Sequence, residues 1–408
     1  MALEGTRKFV CETQTFAVPE VNDAVRFDRK QAMKVALFSG WPLARMQGIC
    51  MDKTLFAGMD ELLAPETLQQ LTGCRVTAVS TTPLAGGYSG SRLYQVMTDT
   101  EPPGKYVLKH MPAREDWLML ASDDRHCRAV ALWQHGLLDQ LKPSIDHAIL
   151  GCARAGDDWF ILMRDVSAGL MPSEPWAAAD VEIFLSALAD LHATFWNSLA
   201  LADPALGLCD AQRMVSALSS VTARGLPSDV SPMPRMILEG WDRMQAWLEP
   251  DVARLLADLH ADPSPLGDVL SQYPKTLVHG DYRQSNQARE DCPTAPVVLL
   301  DWQLASFALP TIDLAWFVNK PEIVSSPLAV DAAVAHYRRR LDGNLGQNLT
   351  ASQWQAMLDL GELIDVLRIG TFRAWFVAHP RMDAYRSIDV AYLERINQVV
   401  RQAVQWLQ

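Results

Sequence analysis

Residues Thr276 to Asn286 read TLVHGDYRQSN: a compact apolar run closes on a glycine and an aspartate, Asp281, and an asparagine, Asn286, stands five places later. An apolar run this short, bounded by polar residues, suits a buried strand that feeds a loop. A second stretch has the same shape, PVVLLDW from Pro296 to Trp302, with Asp301 at the end of its apolar run. Two carboxylates at strand-to-loop ends can point into one cleft, and such a pair invites chemistry. Upstream, CRVTAVSTTPL, AGGYSG and SRLYQVM read as strand, glycine-rich turn and strand, a hairpin signature. KYVLK, Lys105 to Lys109, follows as a third strand ending on a lysine.

The rest of the chain falls into place around these stretches. Pro65 through Leu68 and Leu71 to Gly73 predicts a short helix with proline in its first turn and glycine at its end. Val130, Leu132, Trp133, Leu137, Leu138 and Leu141 predict a helix, and Trp159 to Met163 a buried strand. After Pro172 and Pro175 the character changes: Phe184, Leu185, Leu188, Leu191, His192 and Phe195 share one stripe of a long helix. Helices are expected again over Trp354 to Phe376 and Val390 to Leu407. The expectation is an α+β chain in three parts: an N-terminal extension over 1–60 without sustained period, a small antiparallel sheet with one helix over 61–164, and a mainly helical portion over 165–408.

Composition narrows the function. The chain has 408 residues, 49% hydrophobic and 21% charged, with a net charge of -12. That balance fits a globular enzyme and gives no general electrostatic reason to approach nucleic acid or anionic membranes. The most apolar stretch near the start, Val35 to Ala44, is interrupted by Gly40 and Pro42 and lies far below the roughly 20 residues of a membrane span. Cys11, Cys50, Cys74, Cys127, Cys152, Cys209 and Cys292 lie far apart without a C-x-x-C pair, which fits a reduced, cytoplasmic setting.

Taken together, Gly86, Gly87 and Gly90, Lys109, the His279-Gly280-Asp281 loop with Asn286, Asp301, and Pro310 with Asp313 give the chain a resemblance. Over about residues 75 to 320 it resembles the aminoglycoside phosphotransferase and choline kinase family, which shares the bilobal protein-kinase-like fold. The resemblance implies transfer of the γ-phosphate of ATP to a hydroxyl of a small-molecule acceptor, with Mg2+. Phosphoryl transfer needs positioning and charge neutralisation more than covalent chemistry, which explains the residue types. Asp281 would take the acceptor proton, Arg283 would stabilise charge on the transferring group, and Asn286 and Asp301 would give magnesium its oxygen ligands. Lys109 would pair the α- and β-phosphates, while Gly86, Gly87 and Gly90 let backbone approach them. Leu162 and Met163 fall at the expected inter-lobe hinge, where backbone groups would read the adenine edge.

Each feature has a bland reading. AGGYSG alone is a hairpin turn, Lys109 alone a solvated strand-end lysine, and Asp281 with Asp301 a pair of Asx turns. Only their order and spacing favour chemistry. His279 is expected to anchor the loop, His192 to be a hydrogen-bonded core residue, and Asp313 to support the catalytic loop. One departure stands out. The family's helix after the VLK strand usually offers the lysine a glutamate, but Ala129 stands there; Glu115, Asp123 or Asp124 could substitute, Asp124 being favoured. Two classes therefore stay open, an active small-molecule kinase and a nucleotide-binding pseudokinase acting as a regulatory module. Thr311 to Gln408 holds ten Asp plus Glu and ten Lys plus Arg, which weakens a polycationic antibiotic as acceptor and leaves a sugar or amino alcohol at least as plausible.

Overall fold

The computed structural model describes residues 53–85, 87–227, 231–379 and 383–407. Gly86 and most of the expected N-terminal extension lie outside them. The hairpin forms as the sequence suggests: β1 (Val79–Leu84) and β2 (Arg92–Thr98) pair antiparallel, from Val79 opposite Thr98 to Leu84 opposite Leu93. β3 (Lys105–Pro112) continues the meander. β4 (Ile145–Asp146) leaves this sheet to run parallel to Val297–Leu299. β5 (Ile149–Ala155) and β6 (Asp158–Arg164) then close a five-stranded sheet of order β1-β2-β3-β6-β5. β5 is the strand the sequence hid, because ILGCARA has small residues, an internal glycine and no strict alternation.

Alternation along the strands divides the sheet's two faces. Val96, Leu108, Ala153, Phe160 and Leu162 pack together with Leu62 and Leu68 of the helices Met59–Leu62 and Pro65–Thr72. The second helix starts at its proline and stops at Gly73, whose φ of 72° ends it in the left-handed region. Phe56 bridges to Ala153, so the sheet's packing reaches ahead of residue 61. Lys109 and Ile161, on the other face, border the helical portion beside Trp302 and Gln303. The helix expected through Leu141 is shorter, Arg128–Gln134, and gives way at Gly136 to a 3-10 turn over Leu138–Gln140.

Beyond Arg164 helices predominate. Ala178–Thr194 packs on Val330–Leu345, and the 28-residue helix Ala351–Ala378 packs on Met233–Met244, Thr311–Val318 and Asp383–Val404. Both compact apolar runs are strands. β7 (Thr276–Val278) feeds the His279 loop and pairs with the later strand Ser306–Ala308. β8 (Gln287–Ala288) pairs with β9 (Val297–Leu299), which leads to Asp301. The α+β bilobal plan is therefore the one the sequence implied. No helix among the described residues is long and apolar enough to cross a membrane.

Candidate active site

The His279 loop is built from backbone outward. Gly280 has a φ of +80°, and a Cβ there would lie 2.1 Å from the Leu304 carbonyl oxygen, so only glycine lets the two loops touch. The buried Asp313 carboxylate accepts the His279 and Gly280 N–H groups at 2.6 and 2.8 Å. His279 donates from Nε2 to the Leu300 carbonyl at 2.9 Å and accepts the Asp281 N–H at Nδ1, 3.3 Å away, a tautomer assigned by those partners. Burial holds this imidazole below its ordinary pKa, and with both ring nitrogens spent on backbone partners it serves as an anchor. His192 is equally structural, buried between Tyr337 and Asp313.

Asp281 is held on both oxygens. Oδ2 accepts Arg283 Nε at 3.0 Å and Asn286 Nδ2 at 2.8 Å, while Oδ1 accepts Trp316 Nε1 at 3.2 Å. Burial alone would raise its pKa; the Arg283 guanidinium, then Lys320 and His279, outweigh burial and hold the carboxyl below its ordinary value. Asn286 also donates to the Asp281 carbonyl at 3.0 Å, which turns its Oδ1 to other use.

Across the cleft, Lys109 donates to Asp301 Oδ1 at 2.8 Å and to Gln303 Oε1 at 2.6 Å. Asp301 sits at a φ of 62°, a left-handed conformation uncommon for a residue with a side chain. Asp124 is not the lysine's partner, which corrects the expectation. It is buried against Arg128, accepting that residue's N–H at 3.0 Å and lying 3.6 Å from its guanidinium. Arg128 in turn donates to the Gln303 carbonyl at 2.9 Å, so the pair holds Gln303 in place from behind. Glu115 is bound to Arg92 and Asp123 to Arg125, so neither carboxylate takes the lysine.

Three residues that sequence reasoning missed complete this side. Gln303 directly follows the PVVLLDW stretch and carries no signal of its own in the sequence. Asp116 accepts Ser91 Oγ at 2.5 Å, Ser89 Oγ at 3.0 Å and Gln303 Nε2 at 3.2 Å, tying the glycine-rich turn to the lysine's partner. Its place before WLML is a visible N-cap signal, and it does cap Trp117–Ala121. Ser231 donates to the Tyr88 carbonyl at 2.6 Å, pinning the turn to the helical portion.

A cavity of about 700 Å3 joins these groups, lined by Gly87, Lys109, Met163, Asp281, Asn286 and Asp301 among others. Gly90 is not in its lining: its φ is +104° and a Cβ would lie 2.4 Å from the Glu115 carbonyl oxygen, so it serves the packing of the turn. Leu162 needs a further correction. Its side chain is in the sheet's other core and its position is paired on both sides, with Leu108 and Gly151, leaving the segment after the strand, Asp165 to Ser167, to line the cleft. Met163 does line it.

The model of the phosphotransferase enzyme family matches residues 80–346. That is more than half of the chain, which belongs to this family and is thereby an enzyme of the phosphotransferase class. Among solved structures it is similar to the microcompartment-associated aminopropanol kinase (14% identity, 83% of this chain and 97% of that one, TM-score 0.47). It is also similar to an ethanolamine kinase from Plasmodium vivax (13%, 92% and 95%, TM-score 0.40). A third is a spectinomycin phosphotransferase solved with ADP and spectinomycin (13%, 84% and 97%, TM-score 0.38). No curated protein matches the chain.

Proposed function

We propose that the protein is a small-molecule kinase that moves the γ-phosphate of ATP to an alcohol, with Asp281 as base. The observation that carries this reading is the asymmetry of the Asp281 carboxylate. Arg283 and Asn286 fix Oδ2, whereas among the described residues Oδ1 of this cavity-lining carboxylate takes one long bond from Trp316 and keeps lone-pair capacity to spare. Oδ1 accepts the acceptor's hydroxyl proton as that oxygen forms its bond to the γ-phosphorus. The bond from phosphorus to the β,γ-bridging oxygen breaks, and its electron pair leaves with ADP. Arg283, whose charge the Asp281 carboxylate reinforces, neutralises the transferring group.

Two oxygen-bearing side chains in the cleft, Asp301 and Asn286, fit a hard cation. Asp301 has one carboxylate oxygen beyond the lysine bond, and Asn286 keeps Oδ1 clear of its two donated bonds. Two oxygen ligands completed by phosphates and water are what magnesium favours, and bound there it would neutralise phosphate charge. Lys109 then serves the α- and β-phosphates, and Gly87 with the turn covers them. Residues 61–164 act as the nucleotide lobe and 165–408 as the acceptor lobe. Free Cys74, Cys127, Cys152, Cys209 and Cys292 support a reducing, cytoplasmic setting.

The test pairs binding with turnover. Wild type should be stabilised thermally by ATP with magnesium and release ADP when an alcohol acceptor is present. Asp281→Asn should keep the stabilisation and lose turnover by about 10²- to 10⁴-fold, the usual contribution of a positioned base. Stabilisation without turnover by wild type across a broad alcohol panel would instead make the chain a nucleotide-binding module.

A further inference from the structure

The acceptor end of the cavity is cationic and apolar at once. Six cations line the whole cavity, Lys109, Arg164, Arg283, Lys320, Arg368 and Arg373, against three carboxylates, Asp165, Asp281 and Asp301. Four of the six cluster on the Asp281 side. Lys320 is 8% exposed, and its ammonium lies over the Trp316 ring and makes no ion pair or hydrogen bond to a described residue. Arg368 is 1% exposed; Nη2 donates to the Gly280 carbonyl at 2.6 Å, but buried Nε and Nη1 have no partner among the described residues. Arg373 spends one nitrogen on Asp389 at 2.6 Å and another on the Asn319 carbonyl, leaving buried Nε unpaired. Buried donors this numerous are normally satisfied, because each unmade bond to a charged group is costly.

Their place separates them from the nucleotide end. The carboxylates that bear most on Lys320 are Asp281 and Asp365, and those on Arg368 are Asp281, Asp313 and Asp365; Asp301, beside Lys109, is among neither set. Burial first, then the neighbouring charges of Arg373 and Arg283, push the Lys320 ammonium well below its ordinary pKa, and the nearby Asp281 and Asp365 carboxylates do not offset them. The same end is walled by Leu218, Met233, Met236, Ile369 and Phe372.

Resting on the kinase reading above, we infer that the acceptor is an anionic alcohol: a hydroxyl presented to Asp281, an apolar body against the methionine and phenylalanine wall, and a carboxylate or phosphate held by Lys320 and Arg368. A polycation is thereby excluded, since it would meet like charges in a desolvated corner. The cations could instead serve only the γ-phosphate, and the two sources of negative charge give different results below.

The experiment measures binding rather than turnover, so it is independent of whether Asp281 acts as a base. Calorimetric titrations on the full chain use hydroxyoctanoates carrying the hydroxyl at carbon 2, 3, 4 or 8, each against its primary amide and the corresponding amino alcohol. ATP with magnesium is titrated separately. At least one acid should bind about tenfold or more tightly than its amide, and the ammonium compound should bind weakest. Lys320→Met should erase the preference of acid over amide, Lys320→Arg should retain most of it, and ATP affinity should change less than threefold. The comparison of acid with amide in wild type needs no variant, so a poorly folding substitution does not remove the test. Equal binding of acid and amide, tighter binding of the ammonium compound, or a Lys320→Met variant that loses ATP and not the acid would each overturn the inference, the last by assigning the cations to the γ-phosphate. Failure of ATP to bind while the acid does would count against the kinase reading alone.

Discussion

Lys109 is held by Asp301 and Gln303, where Asp124 was the favoured replacement for the family's helix-borne glutamate, and the arrangement has a physical logic. An amide oxygen orients the ammonium without adding a negative charge beside incoming phosphates. Gln303→Leu should therefore raise the KM for ATP about tenfold, because it removes a bond to a charged group and releases Asp116 from the lysine's side. Asp124→Asn should instead cost roughly 1–3 kcal/mol of stability, since buried Arg128 loses its carboxylate, and leave the KM for ATP within about twofold. Nucleotide titration and thermal melts on both variants check the pair; equal KM increases would restore Asp124 to the lysine. The residues of this site were unequally legible. HGD, Asn286 and Asp301 announce themselves by spacing within short segments. Gln303 and Asp116 do not reveal their part in the site, because it arises only when segments nearly two hundred residues apart meet.

The loops that carry these residues depend on how closely they approach. Gly280 is wedged against the Leu304 carbonyl with positive φ, so Gly280→Ala forces either a strained backbone or a shift of Asp281. The expected cost is about 1–3 kcal/mol, and kcat should fall more than the KM for ATP changes, because the base moves while the nucleotide end does not. Circular dichroism melts with steady-state kinetics would show it; unchanged kcat at full stability would mean that the loop tolerates a side chain. The sequence shows the glycine, but not the partner that makes it necessary. The strands β1, β2 and β3 were readable from alternation and turn chemistry and β6 from its short apolar run, whereas β5 was not, and the helix expected through Leu141 stopped early at Gly136.

At the scale of the molecule, Asp190 joins distant parts. It accepts Ser144 Oγ at 2.9 Å, Asn344 Nδ2 at 2.7 Å, and Lys142 and Arg340 at 3.2 Å each, linking the approach to β4 with the helices Ala178–Thr194 and Val330–Leu345. Burial opposes its ionisation, but these donors outweigh burial and hold the carboxyl below its ordinary value. A carboxyl depressed in the folded state adds stability above its unfolded pKa of about 3.9, and that stability is lost as pH falls through the folded value. Asp190→Asn should thus lower Tm at pH 7, with the gap to wild type closing below about pH 4; a gap that widens on acidification would contradict the ion-pair account. The two-part plan was legible because the shift from strand-like to helical periodicity falls near Pro172, but the crossing of β4 to β9 was not, since two-residue strands carry no period of their own. The central claim is that Asp281, Arg283, Asn286, Asp301 and Lys109 form one working phosphotransferase site. Phosphorus NMR of the protein with ATP, magnesium and a mixed panel of alcohols tests it most directly. The account predicts a growing phosphate-monoester resonance that matches the loss of γ-phosphate and is absent with Asp281→Asn; a γ-phosphate signal that persists unchanged in wild type, or a monoester that forms equally well in Asp281→Asn, would contradict it.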